Sequence, residues 1–125
     1  MSPRAAGATQ HELSRIGLLA TLPGETLARL AQSMTREDVP AGAGVVVEGE
    51  EGDRFYVVLS GMLAVSQRSR GAQSVLRPGD YFGEVALAMD IPRTATVRAL
   101  TPVTVASCDR ETFDEYIRPL CADGP

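Results

Sequence analysis

Tyr81-Phe82-Gly83-Glu84-Val85-Ala86-Leu87-Ala88-Met89-Asp90-Ile91-Pro92-Arg93-Thr94-Ala95-Thr96-Val97-Arg98-Ala99-Leu100 breaks a succession of short apolar runs with one short helical word. Gly83 to Met89 strings good helix formers behind a glycine, and Asp90-Ile91-Pro92 ends the pattern after about two turns. A helix start leaves N–H groups without acceptors, and its dipole favours negative charge. Gly83 lets backbone approach a ligand closely. The pattern then turns to strand. From Thr94 to Leu100 the alternation puts 93, 95, 97 and 99 on one face, and Ala95, Val97 and Ala99 make that face apolar. Arg93 shares the inward face, where a guanidinium needs an anionic partner. Arg98 falls on the opposite face and needs none. Glu84 would repel an anion but can accept hydrogen bonds from sugar hydroxyls. An anion holder beside a sugar holder points to a phosphorylated sugar or a nucleotide.

Outward from this segment, the apolar runs are Val45–Val47, Phe55–Leu59, Met62–Val65, Val75-Leu76 and Val103–Ala106. They are separated by Gly42-Ala43-Gly44, Glu51-Gly52-Asp53, Ser60-Gly61, Arg70-Gly71 and Pro78-Gly79. Many short strands at such intervals predict an antiparallel barrel or roll. Before the strands, Gln10–Leu19 reads as a helix with Leu13, Ile16 and Leu19 on one side. Pro23 suits the first position of a second helix carrying Leu27, Leu30, Ala31 and Met34. After the strands, Asp109 is placed to cap a helix with Glu111 in its first turn and Phe113, Tyr116 and Ile117 as its apolar face. The fold class expected is mainly β: a jelly-roll-like β-roll with short N-terminal helices, one short internal helix and a C-terminal helix.

The words Tyr81 to Leu87 and Pro92-Arg93-Thr94-Ala95-Thr96-Val97 resemble the phosphate-binding cassette of the cyclic nucleotide-binding domain family. The run from Glu48 to Tyr56 looks like a turn of that family's β-roll, and Gly61 like its next turn glycine. The resemblance covers roughly residues 10–119, with residues 1–9 and 120–125 expected as flexible tails. It implies a regulatory binding domain rather than an enzyme. Glu84 would take the ribose 2′-hydroxyl and Arg93 the cyclic phosphate. Backbone N–H groups at Gly83, Val85 and Ala86 would complete the cradle. Thr94 is similar to the residue of cyclic-GMP-responsive members and of members that respond to both nucleotides, which leaves cyclic GMP open without choosing it; cyclic AMP is the ligand favoured. The resemblance also implies signalling by movement of C-terminal helices. Here the sequence departs: Leu120 to Pro125 are too few for a long lid, and there is no tryptophan to stack on a base.

The other residues limit the rivals. At 125 residues and 44% hydrophobic, the chain suits one domain with a real core. A net charge of −4 is poor for gripping nucleic acid, and only Asp109 to Pro125 remain for a DNA-reading motif. One histidine, His11, argues against a metal-dependent jelly-roll enzyme and leaves no base for a nucleophile. Glu48, Glu50, Glu51 and Asp53 lack calcium-loop spacing and read as a solvated turn. Cys108 and Cys121 match no metal or disulfide framework. With no signal peptide or membrane-crossing run, the expected setting is the cytoplasm or the cytoplasmic face of a larger membrane protein. The partner expected is a cyclic nucleotide, with an effector domain, channel or transporter in a longer chain, and no cofactor. The competing reading is a binding-dead interaction module, in which Glu84 and Arg93 pair with each other across an empty pocket.

Overall fold

The computed structural model describes residues 7–121. The chain opens with α1, Gln10–Ser14, a 3-10 turn at Gly17–Leu19 and α2, Gly24–Gln32. Thr9 caps α1 in a reciprocal box, its hydroxyl accepting from the Glu12 N–H and the Glu12 carboxylate accepting from the Thr9 N–H, both at 3.0 Å. The single helix expected over Gln10–Leu19 is therefore two pieces, yet Leu13, Ile16 and Leu19 are all buried. Pro23 is the cap of α2 rather than its first helical residue.

Eight strands follow: β1 Thr35–Val39, β2 Gly44–Val46, β3 Arg54–Ser60, β4 Leu63–Gln67, β5 Gly71–Leu76, β6 Tyr81–Phe82, β7 Thr96–Ala99 and β8 Val103–Asp109. They form two antiparallel sheets, β1-β8-β3-β6 and β2-β7-β4-β5. The β-roll with flanking helices is as expected. Apolar runs missed β1, whose Thr-Arg-Glu-Asp stretch is exposed, and all of β5 except Val75-Leu76. Both strands have exposed side chains, so their pairing leaves little mark in hydrophobicity.

The central strand β3 feeds two cores by alternation. Phe55 and Val57 pack with α1, α2 and the C-terminal helix, while Tyr56 and Val58 pack between the sheets with Leu63, Phe82, Val97 and Val105. Between β6 and β7 lies α3, Glu84–Met89, which buries Ala86 and Leu87.

The C-terminal helix, α4 (110–121), starts at Asp109, whose carboxylate accepts from the Thr112 N–H at 2.9 Å. It contains a π-turn at Phe113–Ile117 and continues through Arg118–Cys121. Two expected tail boundaries are corrected. Ala8 is buried and Thr9 is a cap, so the folded part begins before residue 10. Pro119 does not end α4: proline forfeits one N–H, while Leu120 packs against the core. Residues 1–6 and 122–125 of the expected tails lie outside the described residues. Among the described residues, no helix is long and apolar enough to cross a membrane.

Candidate functional site

A cavity of about 210 Å³ opens between α3 and the sheet β2-β7-β4-β5. Gly83, Glu84, Val85, Ala86, Arg93 and Thr94 all line it. The six residues singled out from the sequence are thus brought together in one place. Val46, Val65, Leu76 and Val97 supply an apolar wall, with Tyr81 and Phe82 beside the α3 entrance. The sequence placed Val46, Val65, Leu76 and Val97 in short apolar runs, but strand pairing was needed to place them around one space.

Gly83 caps α3 with φ of +96°, a conformation costly for any residue with a Cβ. A Cβ there would also meet the Arg54 carbonyl at 2.8 Å and an Arg93 guanidinium nitrogen at 2.9 Å. Glycine is therefore required twice, by the backbone turn and by the close approach. The turn leads straight into Glu84 to Ala86, whose N–H groups belong to the unpaired first turn of a helix.

Arg93 is only 7% exposed. The sequence placed it on the strand after Pro92, and this is corrected: β7 begins at Thr96. Its inward direction comes instead from a backbone pair with the 49–50 turn. The Arg93 N–H donates to the Glu50 carbonyl at 2.8 Å, and the Gly49 N–H donates to the Arg93 carbonyl at 2.9 Å. The guanidinium then runs past Gly52, which has no Cβ to obstruct it. It donates to the Arg54 carbonyl at 2.9 Å and the Gly83 carbonyl at 3.3 Å, and lies 5.9 Å from the centre of the Tyr56 ring. Tyr56 is itself stacked on Phe82 at 4.8 Å. Desolvation pulls the Arg93 pKa below the ordinary arginine value, opposed by Tyr56 and Asp53. Gly52 and Tyr56 were missed as site residues. The Glu51-Gly52-Asp53 turn was visible in sequence, but its passage beneath Arg93 was not.

The ion pairs among the described residues are Glu12–Arg36, Asp90–Arg110 and Asp114–Arg118. Arg93 is in none of them, and Glu84 does not pair with it. The buried guanidinium is thus held by carbonyls and a ring, with Asp53 acting on it only at longer range and no carboxylate in direct contact. Glu84 is half-buried and accepts no hydrogen bond among the described residues. Thr94 is exposed, and its carbonyl accepts from the Gln67 amide at 2.9 Å. The site therefore offers a desolvated cation, a helix start, an unoccupied carboxylate and an apolar wall.

The acidic turn is solvated, as read from sequence. Glu48 alone of its carboxylates is engaged by a hydrogen bond, accepting from the Arg68 N–H at 2.8 Å. His11 is exposed and remote from the cavity.

The sequence profile of the cyclic nucleotide-binding domain matches residues 36–119. The chain belongs to the cyclic nucleotide-binding domain family. It is 39% identical over 109 residues to a cAMP-dependent protein kinase regulatory subunit of Yarrowia lipolytica, covering 86% of this chain and 29% of that one. It is 35% identical over 114 residues to a cGMP-dependent protein kinase of Caenorhabditis briggsae, covering 86% and 15%. Its fold superposes with a TM-score of 0.83 on the regulatory domain of Toxoplasma gondii PKA with cAMP, at 28% identity over 89% of this chain and 44% of that one. The chain thus spans less than a third of the length of these two curated relatives.

Proposed function

We propose that this domain binds a 3′,5′-cyclic nucleotide, cyclic AMP in preference to cyclic GMP, and acts as a regulatory module without catalysis of its own. The observation that carries this is Arg93: a buried cation with no carboxylate partner, at the rim of a cavity that also holds Glu84. A cyclic phosphate would supply the missing negative charge. Its oxygens would take donors from the guanidinium, from the first turn of α3 and from the Thr94 hydroxyl. Glu84 would accept from the ribose 2′-hydroxyl, and the apolar wall would receive the base. Ligand binding would organise the 83–94 segment and reposition α4.

The relatives support a protein kinase as the regulated effector, in a longer chain or a complex. The setting proposed is the cytoplasm or the cytoplasmic face of a membrane protein. Calorimetric titration with cyclic AMP, cyclic GMP and their parent nucleosides tests the reading. Saturable heat is expected with the cyclic nucleotides and little with the nucleosides, which cannot neutralise Arg93. No heat with either cyclic nucleotide at high micromolar concentration overturns it in favour of a binding-dead module.

A further inference from the structure

The start of α3 lines the cavity, and its other end is held entirely differently. A helix leaves its last carbonyls without intrahelical donors. At the end of α3 the chain turns back through Asp90, at φ of +55°, and both the Asp90 and Ile91 N–H groups go to the Ala86 carbonyl. The next two carbonyls, of Leu87 and Ala88, are capped from α4. Arg118 donates to Ala88 at 3.1 Å and to Leu87 at 3.0 Å, and Arg110 donates to Leu87 at 3.3 Å. Two cations at a helix C-terminus also meet the negative end of its dipole.

Arg118 is prearranged for this contact. Its Nε donates to the Asp114 carboxylate at 2.8 Å, and its guanidinium lies 5.6 Å from the centre of the buried Phe113 ring. The terminal nitrogens are left pointing at the two carbonyls. The π-turn makes the geometry work. Eight steps of a regular helix would place Arg110 and Arg118 roughly 80° apart around the axis. The π-turn, closed by the Arg118 N–H on the Phe113 carbonyl, absorbs one extra residue. That brings the two arginines to within about 20° of a common face.

We propose that Arg118 is a positioning residue of the binding site: by gripping the Leu87 and Ala88 carbonyls it sets the pose of α3 and ties α4 to ligand occupancy. The helix between the two ends has six residues, about 9 Å at 1.5 Å per residue. It is too short to bend, so a shift at Gly83–Ala86 must appear at the clamp. This inference rests on the cyclic-nucleotide reading for its ligand, but the clamp itself does not.

Two variants test it, Arg118→Met and Asp114→Asn, the second loosening Arg118 while leaving it in place. Amide hydrogen exchange of residues 84–91 is measured first without ligand, and faster exchange is expected in both variants. Cyclic AMP affinity is then expected to fall about five- to twentyfold in Arg118→Met, within the usual range of site-to-site coupling. The ligand-induced protection of residues 110–121 should disappear with it. Val39→Ala, a core truncation away from α3 and α4, controls for lost stability and should leave affinity unchanged. Unchanged exchange at 84–91 without ligand overturns the clamp, and so does an Arg118→Met affinity within twofold of the parent. If the parent protein takes up neither cyclic nucleotide, the proposed function fails, and the ligand-free exchange alone decides the clamp.

Discussion

Replacing Gly52 with alanine adds one methyl group, changes no charge and removes no group proposed to contact the ligand. Its Cβ would nevertheless overlap Nε and Cζ of Arg93. The guanidinium must leave, because the alternative is to move the backbone that carries β3. Leaving breaks its hydrogen bonds to the Arg54 and Gly83 carbonyls and removes it from the cavity rim. Losing one partner of a desolvated charge pair costs about 2–5 kcal/mol of binding, or roughly thirty- to several-thousand-fold in affinity. Fold stability should suffer less, about 1–3 kcal/mol for an overpacked site, because expelling a buried cation also returns it to water. Since the methyl acts only through Arg93, Gly52→Ala and Arg93→Ala should not add. The double variant should bind as weakly as Arg93→Ala alone, a cycle with a coupling close to the whole single effect. Calorimetry with cyclic AMP on the parent and three variants, each checked for cooperative unfolding, measures this. Additive losses would show that Gly52 acts by another route. Gly52→Ala affinity within threefold of the parent would refute the view that the guanidinium's present position is the binding position.

Arg93→Ala itself should lose about 2–5 kcal/mol of cyclic nucleotide affinity, and unchanged affinity in a folded variant would remove it as the phosphate ligand. Thr94→Ala should weaken cyclic GMP more than cyclic AMP, and side-by-side titrations that fall equally would show that its hydroxyl does not discriminate. Asp109→Ala should destabilise the fold by about 1 kcal/mol through loss of the α4 cap, read by urea unfolding at pH 7. The hydrogen bonds from Thr112 hold the Asp109 carboxyl below the usual carboxylate range, so its charge contributes stability above a pH of about 4. That contribution is lost as pH falls through its lower folded value, and Asp109→Asn should flatten this part of the stability–pH curve. Burial pushes the Cys108 thiol up to about 12, so it should resist alkylation at pH 8 until the protein is unfolded, as mass spectrometry would register.

The chemistry of the site was legible in sequence because it sits in one contiguous stretch. Gly83, Glu84, Arg93 and Thr94 are close in the chain, and their residue types report a helix start, an acceptor and a cation directly. The strand reading of Arg93 reached the right orientation by a wrong route. Alternation assumed a strand from residue 94, whereas the 49–50 turn holds Arg93 through its backbone. The exposed strands β1 and β5 escaped because their pairing partners, β8 and β4, lie far along the chain or carry the hydrophobic signal themselves.

What the sequence alone determined is the set of local preferences: a β-roll from its run of short apolar segments, a two-turn helix behind Gly83, and a cation that would be costly to bury without an anion. Those follow from periodicity and side-chain chemistry, which neighbouring residues suffice to express. Only the tertiary structure decided that Glu84 and Arg93 stay apart, that Gly52 leaves the gap through which the guanidinium passes, and that Arg118 grips the far end of α3. Each of these depends on distances between segments separated by tens of residues. Such distances are set by sheet pairing and core packing, and no local pattern encodes them.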